Sequence, residues 1–550
     1  MATQPSTETH SVSNQVPALP ERNLYDADTP LQTAVQQHGG QQHVDRLHDL
    51  GAWAGRPESR DLGQEANRDV PRLRSHDRYG HRVDEVEYHP AWHELMTQAV
   101  GWGLHAAPWQ SDQLGAHVAR AAGFIMQTQV EPGHMCPISM TYAAVPALRT
   151  NPGLAADWVP GLSSRDYDFG LRAPQTKSGL IAGMAMTEKQ GGSDVRANTT
   201  SAQAVGDDGT YLLTGHKWFC SAPMSDVFLV LAQSPGGVTC FVVPRVLPDD
   251  TRNTFRIQRL KDKLGNRSNA SSEIEFADTV GIRLGEEGRG VRTIVEMVSA
   301  TRLDCVLGAT GLMRGAVTQA AWHTRHREAF GSTLLDKPLM RNVIADLALE
   351  AEAATALAVR LAAAVEAAES GDENAALLRR IALPAAKFWT TKRSIAVTAE
   401  ALECLGGNGY AEESGMPLLF REAPVNSVWE GSGNVNALDL LRAMAKEPGT
   451  VDALLTELGA ATGSSHYYDT ALKELLNDLS DLSDLEYRAR RLSSRIAVLL
   501  QAAQLIRYAP DAVADAFAVS RLGRDEAGQF GTLPPGLDLD VIIDRAMPLA

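Results

Sequence analysis

The sequence predicts an α+β fold that is mainly α: a helical N-terminal domain, a central antiparallel β domain, a helical bundle and an additional helical domain at the C-terminal end. Three observations support this. Apolar residues recur at helical spacing up to about residue 170, the period becomes that of strands from Leu180 to Leu284, and long Ala- and Leu-rich helical segments follow from Gly290. With 550 residues, 44% of them hydrophobic, the chain is long enough for several domains.

The domain boundaries are placed where composition and period change. A polar segment rich in Pro, Asn and Gln opens the chain and is expected to form an arm with one short helix near residues 31–38. Pro448 and Gly449 interrupt the pattern before the last hundred residues. The predicted units are the arm (1–45), the N-terminal helical domain (46–179), the β domain (180–289), the bundle (290–447) and the additional helical domain (448–550).

Inside these units, local residues predict individual breaks. Six strand-like segments between Leu180 and Leu284 are separated by Gly, Pro, Asp and Asn, which indicates a small antiparallel sheet or barrel. In the bundle, Gly371 and Asp372 separate two long helices, and Pro384 is expected to start or kink the third. That third helix should end at the glycine-rich segment 406–409, which exposes main chain.

Charge and cysteine content exclude several classes of protein. The net charge of −16 argues against a generally basic nucleic-acid-binding or membrane-surface protein. The five cysteines are odd in number and widely spread, without metal-ligand spacing, so we expect no metal site and a reducing, cytoplasmic location. The N-terminal residues do not resemble an export signal, and we find no apolar run long enough for a transmembrane helix.

The segment IAGMAMTEKQGGSD, residues 181–194, is the first candidate site. An apolar strand ends there in hydroxyl residues and a Gly-Gly turn, so main-chain N–H groups and hydroxyls are available to a polar, partly anionic cofactor. A simple turn that joins two strands and binds nothing explains the same composition equally well. The local sequence leaves both interpretations open.

Five motifs in order, TEKQGGSD, GHKWFCS, RHREAFG, LGGNGY and NSVWEGSGN, make residues 85–445 resemble the acyl-CoA dehydrogenase family of flavoproteins. The N-terminal arm and the additional C-terminal domain are similar to the branch of that family associated with the bacterial adaptive response to DNA alkylation. The resemblance implies the same helix, sheet, helix organisation, FAD as cofactor and a homotetramer.

The resemblance also implies which residues contact FAD. Thr187 and Ser193 are expected at the isoalloxazine, Phe219 beside it and Ser221 near its N5, whereas Arg327 with Gly406 and Gly407 is expected to reach the FAD of a neighbouring subunit. An Arg side chain and exposed glycine main chain suit a diphosphate. The full predicted set is Met184, Met186, Thr187, Gln190, Gly191, Gly192, Ser193, Phe219, Cys220, Ser221, Arg327, Gly406, Gly407, Val428, Trp429, Gly431, Ser432, Gly433 and Asn434.

Glu430 matches the catalytic base of the family. Oxidation of an acyl thioester requires a base for the α-proton while a hydride leaves the β-carbon, so one carboxylate must face the flavin. Thr301 occupies the alternative base position, so no competing base is present there. Without the resemblance, a carboxylate at a helix N-terminus is the simpler interpretation. If a helix begins near Gly433, Arg442 lies on its inner face, where pairing with Glu430 would lower the pKa of that carboxylate and weaken the base.

Two functions therefore follow from the sequence. One is an FAD-binding protein of the DNA alkylation response that associates with double-stranded DNA and has weak acyl-CoA dehydrogenase activity. The other is an efficient dehydrogenase of short or branched acyl-CoA that passes electrons to an electron-transfer flavoprotein. DNA binding requires cations at phosphates, and the basic cluster in the last domain is Arg488, Arg490, Arg491 and Arg495. A solvated face of an amphipathic helix explains this cluster equally well.

Overall fold

The computed structural model describes residues 9–523 and 528–548 and confirms the predicted fold class. The N-terminal part is helical, and its arm carries one short helix close to the predicted position. The elements of this part are α1 (Thr29–Gln37), α2 (Val44–Ala54), α3 (Pro57–Arg68), β1 (Arg72–His76), β2 (Arg82–Glu87), α4 (Pro90–Gly101), α5 (Ala116–Val130), α6 (Met135–Leu148) and α7 (Pro152–Leu162).

The hairpin of β1 and β2 lies in a region for which the sequence predicted only helices. Its two strands pair antiparallel around the turn at Asp77, whose carboxylate accepts hydrogen bonds from the main-chain N–H groups of Tyr79 and His81 at 2.8 and 2.9 Å. The two strands are short and polar, so they lack the clear alternation of apolar and polar residues that indicates a strand in a sequence.

The central domain is a closed seven-stranded sheet. Its order is β3-β6-β4-β5-β9-β7, β8 pairs with β9, and the pairing of β6 with β7 closes the ring. Most pairs are antiparallel, as predicted, but β3 and β4 run parallel to β6. The strands are β3 (Ala182–Ala185), β4 (Ser201–Ala204), β5 (Thr210–Ser221), β6 (Val227–Ser234), β7 (Gly237–Pro244), β8 (Phe255–Leu260) and β9 (Ser271–Leu284).

In residues 290–523 and 528–548 the regular elements are helices, apart from a small hairpin after the first of them. The break at Gly371 and the glycine-rich end of the third long helix are as predicted, whereas the helix continues through Pro384. The elements are α8 (Gly290–His326), β10 (Glu328–Ala329), β11 (Ser332–Thr333), α9 (Pro338–Glu369), α10 (Glu373–Cys404), α11 (Met416–Val428), α12 (Gly433–Lys446), α13 (Gly449–Gly459), α14 (His466–Ser480), α15 (Leu485–Tyr508), α16 (Asp511–Leu522) and α17 (Leu539–Ala546).

Helix α8 is the centre of the packing. It contacts α5, α6, α9, α10 and α11, and one apolar core continues from the N-terminal helices through the bundle into the last helices. Gly311 allows close approach to α5, because a Cβ there would lie 2.6 Å from the Ile125 carbonyl oxygen. Arg120 on α5 and Asp304 on α8 form a buried two-bond ion pair at 2.6 and 2.7 Å. These contacts fix the part of α8 that carries Thr301 and Arg302.

The five cysteines are buried and unpaired. Over residues 9–523 and 528–548, every helix is too short or too polar to cross a membrane.

Candidate functional site

The loop after β3 is fixed from beneath by a buried ion pair that the sequence analysis missed. Glu188 accepts hydrogen bonds from Lys217 Nζ at 2.7 Å and from the main-chain N–H groups of Thr199 and Thr200 at 2.7 and 3.1 Å. Burial raises the pKa of Glu188, but the bonds from Lys217 and the Thr199 segment lower it more, to about 2. These bonds hold the inner side of the loop in place. The sequence signal for the pair was the presence of Glu188 and Lys217 next to apolar strand residues, where a charged side chain needs a partner.

The outer side of this loop leaves room for a ligand. Gly191 has φ +156°, and a Cβ there would meet no atom within 4 Å, whereas a Cβ on Gly192 would lie 2.7 Å from Thr187 Oγ1. Thr187 is half-buried and Ser193 is exposed, so both hydroxyls are accessible. Gln190 donates inward to Glu188 Oε2 at 2.7 Å and stabilises the turn.

The end of β5 lies beside this loop and is irregular. In a regular strand, residues three positions apart point to opposite faces, yet Lys217 and Cys220 are both fully buried. A register shift between them, a β-bulge, turns both side chains to the inside. The bulge leaves Phe219 50% exposed, as expected of a side chain that lies against a flavin. Ser221 Oγ is half-buried, 3.2 Å from Ser271 Oγ. The thiol of Cys220 points into the barrel core, so its predicted contact with a cofactor is restricted to the main chain.

The other predicted flavin residues lie on two separate segments. Met184 and Met186 are half-buried at the end of β3. The turn between α11 and α12 carries the set Val428, Trp429, Gly431, Ser432, Gly433 and Asn434. Helix α12 begins at Gly433, as predicted, and its N-cap Ser432 makes no side-chain capping bond.

Glu430 occupies this turn in a backbone conformation that side chains rarely adopt. Its φ is +56°, and that of Gly431 is +96°. Lys387, which is 1% exposed, donates from Nζ to the carbonyl oxygens of Trp429 and Gly431, each at 2.6 Å. Arg302 Nε donates to the carbonyl oxygen of Glu430 at 3.0 Å. The main-chain carbonyls around Glu430 are thus held by two cations, which stabilises the strained turn.

Among the described residues, Thr301 supplies the one hydrogen bond that the carboxylate of Glu430 accepts. Thr301 Oγ1 donates to its Oε2 at 2.7 Å. Burial raises the pKa of Glu430, and the bond from Thr301 and the charges of Lys387 and Arg302 offset that only in part, so its pKa stays above the ordinary Glu value. A half-buried carboxyl with a raised pKa is suited to accept a proton from carbon near neutral pH. Lys387 and the donor role of Thr301 were missed, because both depend on contacts between distant segments.

Arg442 does not pair with Glu430, so this expectation was wrong. Arg442 is exposed and donates to Asp439 Oδ1 at 3.1 Å, one turn earlier on the same helix. Asp439 also accepts bonds from Arg302 at 2.6 Å and from Arg380 at 3.2 Å. Arg442 therefore pairs with the nearer carboxylate, Asp439, and does not act on the pKa of Glu430 through an ion pair.

A cavity of about 1260 Å³ opens between the β domain and the helices, beside this turn. Its wall includes Ser193 of the β3 loop, Arg302 of α8 and Arg442 of α12. Cationic side chains outnumber carboxylates in the wall: Arg196, Arg289, Arg292, Arg302, Arg379, Arg380, Arg442 and Lys446 line it, against Asp194, Glu296, Asp439 and Glu447. Such a cavity suits a large ligand that carries negative charge.

The residues present fit FAD. Trp429 Nε1 is buried and has no hydrogen-bond partner in the described protein, so the predicted flavin contact has a donor to offer. Gly406 has φ +61°, and a Cβ on it or on Gly407 would meet no atom within 4 Å, so both present accessible main chain. Arg327 is half-buried and donates to the carbonyl oxygen of Asn14 in the N-terminal arm. These are the donor groups that a diphosphate requires.

The predicted basic cluster is divided among different contacts. Arg488 lies 3.9 Å from Asp478 and 3.5 Å from Asp481, and Arg495 bonds Glu474 and Asp478 at 3.0 and 2.5 Å. Arg490 donates to Asn434 Oδ1 at 3.0 Å, and Arg491 is exposed. The four arginines therefore do not form one free basic face.

Comparison with known proteins agrees with this geometry. Residues 14–169 match the model of the "Adaptive response protein AidB N-terminal domain", residues 183–279 match the "Acyl-CoA dehydrogenase, middle domain", and residues 288–445 match the "Acyl-CoA dehydrogenase, C-terminal domain".

Individual relatives cover nearly the whole chain. The sequence is 46% identical over 512 residues to AidB of Escherichia coli (strain K12), a match that covers 93% of this chain and 94% of AidB. It is 31% identical to acyl-CoA dehydrogenase family member 11 of Caenorhabditis elegans over 82% of this chain and 78% of that protein. The crystal structure of C. elegans ACDH-11 with C11-CoA superposes with a TM-score of 0.85 at 27% identity, covering 98% of this chain and 97% of the other.

Proposed function

The chain belongs to the acyl-CoA dehydrogenase family and uses FAD as its cofactor, and on that premise we propose that it oxidises the Cα–Cβ bond of an acyl-CoA thioester. The observation that carries the proposal is the environment of Glu430: its carboxyl has a raised pKa, accepts a hydrogen bond from Thr301 and forms no ion pair with an arginine in residues 9–523 and 528–548. The cation-rich cavity beside it supports a ligand with phosphate groups.

In the proposed reaction, the carboxylate of Glu430 removes the α-proton of the thioester and a Cα–Cβ double bond forms. FAD, when bound, would supply the acceptor for the hydride that leaves the β-carbon. Thr301 orients the carboxylate, while Lys387 and Arg302 hold the main chain on either side of it. Phe219, with Trp429, supplies an apolar wall that excludes water from the reacting atoms. The electrons then pass to an electron-transfer flavoprotein.

We propose that Glu430 is a competent base. The expectation of weak activity rested on an ion pair between Arg442 and Glu430, and Arg442 bonds Asp439 instead. The raised pKa of Glu430 favours proton transfer near neutral pH.

The test is anaerobic mixing of the FAD-loaded protein with a series of acyl-CoA thioesters, from short and branched chains to C11-CoA, the ligand in the crystal structure of the C. elegans relative. The visible flavin band is expected to bleach with at least one of them, and the enoyl product should be recovered. Failure of every thioester to bleach a fully loaded protein would refute the proposal.

Association with double-stranded DNA is a second candidate function. Its support is the 46% identity to AidB, whose N-terminal domain model is named for the adaptive response. Duplex DNA titrated at two salt concentrations should bind more tightly at the lower one. Absence of binding at low salt would exclude this function, and the result is independent of the acyl-CoA assay.

We propose that the chain assembles as a homotetramer. Phe330 lies in the turn of the β10–β11 hairpin that follows Arg327 and is 98% exposed. Tyr410, at the end of the segment that carries Gly406 and Gly407, is 83% exposed, and Leu339 is 83% exposed. Apolar side chains on the segments expected to reach a neighbouring FAD support burial between subunits. Light scattering should give the mass of four 59.2-kDa chains, and a monomer would contradict it.

A further inference from the structure

Arg490 and Lys392 form a pair of cations at the start of α12. Arg490 lies on α15 in the additional helical domain, and its guanidinium donates to Asn434 Oδ1 at 3.0 Å. Lys392 on α10 lies against the same turn, because a Cβ built on Gly433 would be 3.2 Å from its Nζ. Both cations flank the ring of Phe388, at 5.3 and 5.7 Å from its centroid.

No carboxylate in the described part of the chain lies within salt-bridge distance of either cation. In contrast, Arg488 and Arg495 on the same helix each have acidic partners. Burial and the charge of Arg490 both lower the pKa of Lys392. Like charges close together repel each other, and an anion that binds beside both cations would relieve that repulsion.

The position of the pair identifies that anion. Neither cation lines the large cavity assigned to the thioester, which separates them from the phosphates of acyl-CoA. Both lie instead against Gly433 and Asn434, in the turn that also carries Trp429. FAD brings a diphosphate with two negative charges to its site.

We infer that Arg490, together with Lys392, binds the diphosphate of FAD, so that the additional C-terminal domain forms part of the cofactor site. This assigns to Arg490 a cofactor role in place of the DNA contact predicted from sequence. The inference rests on the FAD site of the proposed function, but not on the oxidation reaction.

The test is titration of apoprotein with FAD and with riboflavin, which lacks the diphosphate, followed by quenching of flavin fluorescence. Arg490→Gln should weaken FAD binding about tenfold or more, the effect of losing a hydrogen bond to a charged group, and leave riboflavin binding unchanged. Added salt should weaken FAD binding to the wild type more steeply than to the variant. Arg491→Gln removes the same charge from an exposed neighbour on α15 and should leave both affinities unchanged.

Unchanged FAD affinity in Arg490→Gln would overturn the inference. An equal loss of FAD and riboflavin would also overturn it, since Arg490 would then act only by supporting Asn434. The two proposals can fail separately. If Arg490→Gln loses affinity for FAD but not for riboflavin, while no acyl-CoA reduces the flavin of the wild type, this inference is supported and only the proposed oxidation is refuted.

Discussion

Replacing Thr301 with valine is expected to shift the pH dependence of flavin reduction to higher pH. Thr301 Oγ1 is 2.7 Å from Glu430 Oε2, and the residue is 3% exposed. Burial raises the pKa of Glu430, and of the interactions that lower this pKa the hydrogen bond from Thr301 is the strongest. Valine keeps the branched shape but has no donor, so the ionised base loses its partner. Because only ionised Glu430 accepts the α-proton, the rate then rises at a higher pH than in the wild type.

The size of the effect follows from the strength of the bond. A hydrogen bond to a charged group contributes about 1.5–3 kcal/mol, and each 1.4 kcal/mol is a factor of about ten. At a fixed pH on the rising part of the profile, the reduction rate should therefore fall about tenfold or more. The lower end is expected, because the hydroxyl also lies 3.1 Å from the Val298 carbonyl and can donate there instead.

The assay is anaerobic stopped-flow reduction at saturating acyl-CoA over a series of pH values. Thr301→Ser keeps the donor and should retain a profile close to that of the wild type. Thr310→Val makes the same chemical change on the same buried helix, where the hydroxyl donates to the Val306 carbonyl oxygen, and it should leave the profile unchanged. An unshifted profile in Thr301→Val with its flavin bound would refute the role assigned to this hydrogen bond.

Three further substitutions test the supports of the site. Lys387→Met removes the hydrogen bonds from Lys387 to the carbonyl oxygens of Trp429 and Gly431, of which the Gly431 oxygen keeps a bond from Asn436 Nδ2 at 2.6 Å. It should therefore lower the free energy of unfolding by about 1.5–3 kcal/mol in denaturant titration, against little change for the exposed Lys473→Met. Lys217→Met leaves the buried Glu188 carboxylate without its cation and should lower the free energy of unfolding by about 3–5 kcal/mol. Adding Glu188→Gln should recover part of that stability. Equal stability of the single and double variants would contradict this. Arg442→Ala should leave the pH midpoint of flavin reduction unchanged, because Arg442 bonds Asp439. A shift of the midpoint to higher pH would show that Arg442 pairs with Glu430 in the wild type, and would contradict the structure.

Sequence periodicity predicted the order of helical and β regions because each depends on local alternation of apolar and polar residues. It did not predict that β3 runs parallel to β6, since the paired residues, such as Ala182 and Val227, are 45 positions apart and leave no local pattern. The polar hairpin of β1 and β2 was missed for a related reason: its strands bury little apolar surface. Motif order led to the prediction that the loop after β3 contacts the flavin, but it gave no indication of the Glu188–Lys217 pair beneath that loop.

The environment of Glu430 was predictable only in part. Its position came from a motif, and the start of α12 near Gly433 was correct. The geometric argument for Arg442 failed because Asp439, three residues earlier on the same helix, is a closer carboxylate. The donor from Thr301 lies 129 residues away in sequence, so only the tertiary structure brings it to the base.

The most direct test of the account is single-turnover reduction of bound FAD by an acyl-CoA in the wild type and in Glu430→Gln. Glutamine keeps the size of the side chain but cannot take the α-proton, so flavin reduction should slow by roughly 10²- to 10⁴-fold while FAD and acyl-CoA still bind. Reduction at the wild-type rate in Glu430→Gln would contradict the assignment of Glu430 as the base.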